Sequence, residues 1–163
     1  MGGANANKKD LSVAFELGTL IAKEGWLLLN GGRSCGIMEM SAKGAKNAGG
    51  ITIGIIPGNN LSGVSQYIDI PILTDLGDAR NYINVLSSDI VIACAGSMGT
   101  ISEIALALKN RRKVILLNFD DCWFFNNYIE KGLLFKAKTA KEAISITKNL
   151  LEGALEAVTE CQF

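Results

Sequence analysis

Four short apolar runs punctuate the chain: WLLLN at 26–30, ITIGII at 51–56, DIVIAC at 89–94 and KVILLNF at 113–119. Each has the length of a strand and is rich in Leu, Ile or Val, the pattern of strands covered on both faces. Between them the apolar positions take helical spacing, as at Leu11, Ala14, Leu17 and Ile21, then at Ile101, Ile104, Ala105 and Leu108. Strands alternating with helices predict a parallel sheet. Right-handed crossovers then make it a doubly wound, Rossmann-like α/β sandwich of three layers. YIDIPIL at 67–73 and LLFKA at 133–137 supply two further short strands. A last helix is expected from Thr139 past Leu151, because TAKE at 139–142 is a capping-box pattern ahead of an apolar periodicity. MGGANAN at 1–7 reads like the glycine-rich turn that follows a first strand, yet no strand pattern precedes it, so the sheet is expected to lack its opening strand.

Composition narrows the choice of function. At 163 residues the chain suits one domain, 1–163, burying roughly 70% of its unfolded surface. Sixteen basic residues balance sixteen acidic ones, which leaves no electrostatic footprint for nucleic acid or an anionic membrane. Any anionic ligand must therefore be held locally. The longest uncharged stretch, 49–68, contains Pro57, Asn59, Asn60 and Gln66, costly residues in a bilayer. The N-terminus has no signal-peptide pattern, and cysteines 35, 94, 122 and 161 form no C-x-x-C pair, so a cytoplasmic location is expected. Histidine is absent. That removes Ser-His and Cys-His nucleophile pairs and the commonest zinc ligand, leaving carboxylate, guanidinium, hydroxyl and backbone, and no metal site is expected.

Ligands of open α/β sheets settle at the carboxyl ends of strands, where loops feed helix N-termini. CAGSMGTISE at 94–103 stands there, and the small residues Gly96, Ser97 and Gly99, with Met98 and Thr100, would let a phosphate approach free N–H groups at the positive end of a helix. NGGRSCGIMEM at 30–40 stands in the same relation to its strand. It offers Gly31, Gly32, Ser34 and Gly36, together with the planar five-donor cation of Arg33. MGGANAN is a candidate third wall. Each feature also has a plain structural reading: glycine is common in tight turns, and Thr100 with Glu103 repeats the capping-box spacing of Thr139 with Glu142. KNRR at 109–112 suits a solvated helix end, and Arg80, in LGDARNYIN, suits a surface charge as well as a site. The cysteines are assigned no chemistry, because a free cysteine usually serves as a small buried hydrophobe.

The segments NGGRSCGIMEMSAKGAKNAGGITIGIIPG and LGDARNYINVLSSDIVIACAGSMGTISEIALALK resemble the molybdenum cofactor carrier proteins. These share the so-called lysine decarboxylase-like superfamily with the LONELY GUY cytokinin phosphoribohydrolases. The phosphoribohydrolase signature is an arginine on one helix followed by P-G-G-x-G-T-x-x-E. Arg80, twenty residues before Thr100, and Glu103 fit it, whereas Ala95-Gly96-Ser97 replaces P-G-G. That replacement weighs against hydrolysis, and the GGRS form of the first loop is closer to the carriers. The resemblance therefore implies a binding protein for a phosphorylated pterin, the molybdenum cofactor, held at 31–36, 80 and 96–100. The alternative it implies is cleavage of the N-glycosidic bond of nucleoside 5′-monophosphates, with Arg80 orienting the substrate and Glu103 catalytic. No pyridoxal site is legible, so a lysine decarboxylase is not expected. Relatives of this kind are generally dimers or larger, which implies a homodimer or homotetramer.

Overall fold

The computed structural model describes residues 1–119 and 123–160, with backbone alone for 154–160. Cys122 and Cys161 lie outside the described residues. In chain order the structure runs α1 (Lys8–Lys23), β1 (Leu28–Asn30), α2 (Gly36–Asn47), β2 (Thr52–Ile56), β3 (Ile70–Leu73), α3 (Arg80–Leu86), β4 (Ile90–Ala93), α4 (Met98–Lys109), β5 (Lys113–Leu117), α5 (Asn127–Glu130), β6 (Leu134–Ala137) and α6 (Ala140–Glu160). All six strands among the described residues fall within the apolar runs, and every pair they form is parallel.

Covering on both faces is visible residue by residue. On β5, Ile115 and Leu117 pack into one apolar cluster with Ala14, Leu17 and Ile21 of α1, Ile37 of α2 and Ile144 of α6. Val114 and Leu116 turn the other way, into a second cluster with Val85 of α3 and Ile104 and Leu108 of α4. The sheet is thus the middle layer of an α/β sandwich, with helices wound on both sides. The caps follow the sequence. Asn7 Oδ1 accepts from the Asp10 N–H at 2.9 Å to start α1. At α6, Thr139 Oγ1 accepts from the Glu142 N–H at 3.2 Å, while Glu142 Oε2 accepts from the Lys138 N–H at 2.7 Å. The second bond lands one residue ahead of the usual capping-box donor.

The expected sheet is divided. Strands β1, β2 and β3 form one three-stranded unit and β4, β5 and β6 another, with no ladder between β1 and β4. The backbone of Met1 lies along β4, its ammonium donating to Ile92 O at 2.7 Å and its carbonyl accepting from the Cys94 N–H at 2.9 Å. The seam between the two units holds a cavity of about 420 Å³.

The edge strand β3 departs from the buried pattern in another way. All four of its residues are exposed, among them Ile70, Ile72 and Leu73.

Candidate functional site

The loop after β1 is shaped by Asn30, a buried side chain that does three jobs. Its Oδ1 accepts from the Gly32 N–H at 2.7 Å, closing an Asx turn, and its Nδ2 donates to Met38 O at 3.1 Å and Ser41 Oγ at 3.2 Å. Gly32 takes φ +68°, a conformation that glycine adopts without strain. The same loop is pinned to the segment after β2: the Ser65 N–H donates to Gly32 O at 2.8 Å and the Ser34 N–H to Gly63 O at 2.9 Å. Between the two segments lies a cavity of about 230 Å³, floored by Gly31 and Gly32 and walled by Arg33, Pro57, Asn60 and Ser62. Arg33 and Ser34 are exposed.

Gly31 is where the second cation enters. The Arg80 guanidinium packs so closely over its Cα that any Cβ there would collide with Nη1 and Nη2. Arg80 opens α3, is only 8% exposed, and among the described residues makes no hydrogen bond or ion pair, its buried Nε included. Burial lowers its pKa, the nearby Glu103 carboxylate opposes that shift, and the Arg33 cation adds to it. The surface-charge reading of Arg80 therefore fails. A buried guanidinium Nε without an acceptor is costly, and it is the chemical condition that an anionic ligand relieves.

Glu103 is not a cap. Helix α4 starts at Met98 with Ser97 as its N-cap, so Thr100 lies inside the first turn and Glu103 in the second. The carboxylate is 7% exposed and accepts from Asn84 Nδ2 at 3.2 Å, while Asn84 Oδ1 is buried without a partner. Asn84, one turn beyond Arg80 on α3, thus holds Glu103 beside the guanidinium. Glu39 lies in the first turn of α2 with a buried Oε2 that has no hydrogen-bond partner among the described residues.

The two helix N-termini differ. At α2 the Ile37 N–H is already donated to Gly3 O at 3.1 Å, and a Cβ on Gly36 would collide with the carbonyls of Gly3 and Ala4. Residues 3 and 4 are therefore a wall against this end, and Gly36 serves that wall. At α4 no side chain caps the helix, Gly96, Ser97, Met98 and Gly99 are exposed, and Met98 is 78% exposed. Gly3 also reaches this loop, its N–H donating to Ala95 O at 3.1 Å. Gly96 is required for space, since a Cβ would strike the Thr100 side chain. The open end of α4 thus presents its first N–H groups at the positive pole of the helix.

Gly31, Gly32, Arg33, Arg80 and Glu103 are brought to one region by these contacts, and Gly96 to Thr100 to the carboxyl end of β4. Asn30, Asn84 and the segment 57–64 were not singled out in the sequence. The P-G-N-N string directly after an apolar run was the available signal for the last of these. Cys94 is buried, which pushes its thiol pKa up, and it stays chemically inert. Arg112, in KNRR, donates to Leu86 O at 2.7 Å and serves the packing of α3. Among the described residues no group of His, Cys, Asp and Glu is arranged to hold a metal ion, and no helix is long and apolar enough to cross a membrane.

Comparison with known proteins gives consistent likenesses. Residues 1–144 match the model of the SLOG cluster4 family. The structure is similar to that of the molybdenum cofactor binding protein from the phototrophic bacterium Rippkaea orientalis, with 48% identity, 93% of each chain covered and a TM-score of 0.85. It is also similar to the molybdenum cofactor carrier protein from Chlamydomonas reinhardtii, with 44% identity, 93% of this chain and 94% of that one covered, and a TM-score of 0.84. A cytokinin riboside 5′-monophosphate phosphoribohydrolase of Mycobacterium tuberculosis is 34% identical over 96 residues, 58% of this chain and 51% of that protein.

Proposed function

The chain belongs to the SLOG cluster4 family, and from that premise we propose that it binds a phosphorylated small molecule as a molybdenum cofactor carrier. The observation that carries this reading is Arg80, a buried guanidinium with an unpartnered Nε, laid over the glycine floor of the first loop. The ligand's phosphate would sit between the open N-terminus of α4 at 96–100 and the loop at 31–36, with Arg33 and Arg80 donating to its anionic oxygens. Bidentate contact of this kind is what guanidinium geometry favours. The molybdenum cofactor is cargo here, and holding it requires no turnover. The high identity to two proteins described as binding or carrying that cofactor supports the assignment.

Assembly as a homodimer or homotetramer in the cytoplasm belongs to the same reading. The exposed apolar side chains of β3 support the assembly, because a monomer leaves them in water.

A second reading rests on Glu103. A buried carboxylate, held by Asn84 beside Arg80, has the placement of a group that stabilises positive charge developing on a sugar ring. The chain would then cleave nucleoside 5′-monophosphates at the N-glycosidic bond. The deciding experiment offers the protein adenosine 5′-monophosphate and a cytokinin riboside monophosphate, measures free base, repeats this with Glu103→Ala, and titrates molybdenum cofactor in parallel. The carrier reading expects saturable cofactor binding and no base release. Base release that disappears in the variant overturns it in favour of hydrolysis.

A further inference from the structure

Among the described residues the two most exposed large apolar side chains are Met98, at 78%, and Trp123, at 75%. Both stand at the carboxyl edge of the sheet. Met98 opens α4 directly after the loop of β4, and Trp123 begins a 3-10 turn, Trp123–Phe125, on the connection that leaves β5. β4 and β5 are paired neighbours, with Ala93 opposite Leu116, so their ends lie about 5 Å apart. Asn118 takes φ +52° just past the end of β5. Beyond it, Phe125 is buried in the apolar cluster that holds Ile104 and Leu108 of α4, so the turn lies on the face of the sheet that α4 covers. That burial anchors the turn. The Phe124 and Phe125 ring centroids are 4.5 Å apart, and Trp123 meets Phe124 edge to face at 5.9 Å and 84°. An indole is thus held out in water by a buried anchor, next to the loop at 96–100.

We propose that Trp123 is a stacking platform for the planar ring of the ligand whose phosphate occupies the open end of α4, and that the ring is a fused, nitrogen-rich heterocycle of the pterin or purine kind. This rests on the anion-binding reading of 96–100. Arg33, Arg80 and the helix N–H groups answer the charge of the phosphate, and none of them selects what the phosphate carries. An indole does: its broad polarisable face takes a flat heterocycle in offset stacking and holds a flexible aliphatic chain far less well. Met98 adds an adaptable thioether from the neighbouring loop, suited to a ring edge. The spacing also fits, because a ring and a phosphate joined by a short chain are separated by about the distance between adjacent strand ends.

The test titrates three phosphomonoesters by calorimetry into the native chain, Trp123→Ala and Trp123→Phe: neopterin monophosphate, adenosine 5′-monophosphate and the ringless glycerol 3-phosphate. At least one ring-bearing probe is expected to bind the native chain more tightly than glycerol 3-phosphate, and the tighter of the two identifies the ring as pterin or purine. Trp123→Ala is expected to weaken that probe by roughly 5- to 100-fold, the worth of one aromatic stack, and to leave glycerol 3-phosphate unchanged. Trp123→Phe is expected to restore most of the loss. Equal affinity of the ring-bearing probe for the native chain and Trp123→Ala overturns the platform and leaves the anion site standing. An equal loss for all three probes overturns it too, since Trp123 then acts by shaping the loop. Absence of binding by every probe overturns the anion-binding reading and the platform with it. A fall in oligomeric mass of Trp123→Ala in light scattering, with ring affinity unchanged, assigns the indole to a subunit contact and overturns the platform.

Discussion

Glu103 and Glu142 occupy the same string, T-x-x-E, and perform different work. At 139–142 the string lies at the start of α6 and its partners close the helix end. At 100–103 it lies inside α4, and the carboxylate turns to Asn84. Spacing is local and the difference is not, because it depends on where Ser97 ends the preceding loop. The cations follow the same logic. Arg33 and Arg80 were legible as candidates, whereas Asn84 resembles any other polar residue on a short helix until the packing of α3 on α4 places it. Replacing Arg80 by Met separates binding from stability. Anion affinity is expected to fall by roughly 10- to 100-fold, the worth of one charged hydrogen bond. The unfolding midpoint is expected to stay level or rise, since a largely buried cation whose Nε lacks an acceptor among the described residues is removed. Calorimetric titration and thermal melts of one preparation read both. Gly31→Ala is expected to lose affinity similarly while retaining the charge, because its Cβ displaces the guanidinium; undiminished binding by this variant would remove Arg80 from the site.

The elements were the most legible scale, and the reason is visible in β5. A strand buried on both faces must be apolar throughout, so KVILLNF stood out without reference to its partners. Contacts that tie one element to another were not readable. Asp69, beside the N-terminal end of β2, is one. Its Oδ1 accepts from Lys46 of α2 at 2.5 Å, and its Oδ2 accepts from the Thr52 N–H at 2.9 Å and Thr52 Oγ1 at 3.0 Å. The Lys46 bond lowers its pKa, burial opposes this, and the Thr52 bonds reinforce it. A carboxylate with a lowered folded-state pKa stabilises the fold above its unfolded value, and that contribution fades as pH falls through the lowered one. The midpoint of the native protein should therefore exceed that of Asp69→Asn at neutral pH, and the gap should narrow below about pH 4. The gap is expected to be small, since the side chain is 30% exposed and solvent screens the pair.

For the molecule as a whole, the α/β sandwich was predictable from the alternation of runs and helices. The division of its sheet was foreshadowed only by MGGANAN. The exposed face of β3 was not predictable, because an edge strand and a central one carry the same apolar letters. Ile72→Lys is expected to shift the protein towards monomer in light scattering while leaving the site intact; an unchanged mass would place the interface elsewhere. The division has a second consequence. The loop carrying Gly31 and Arg33 hangs from one half of the sheet, and the loop at 96–100 from the other. A ligand gripped by both is a clasp across a fault line. Loading should raise the unfolding midpoint with the logarithm of ligand concentration, while the apolar cluster shared by α1, α2, β5 and α6 keeps unfolding a single step with or without ligand.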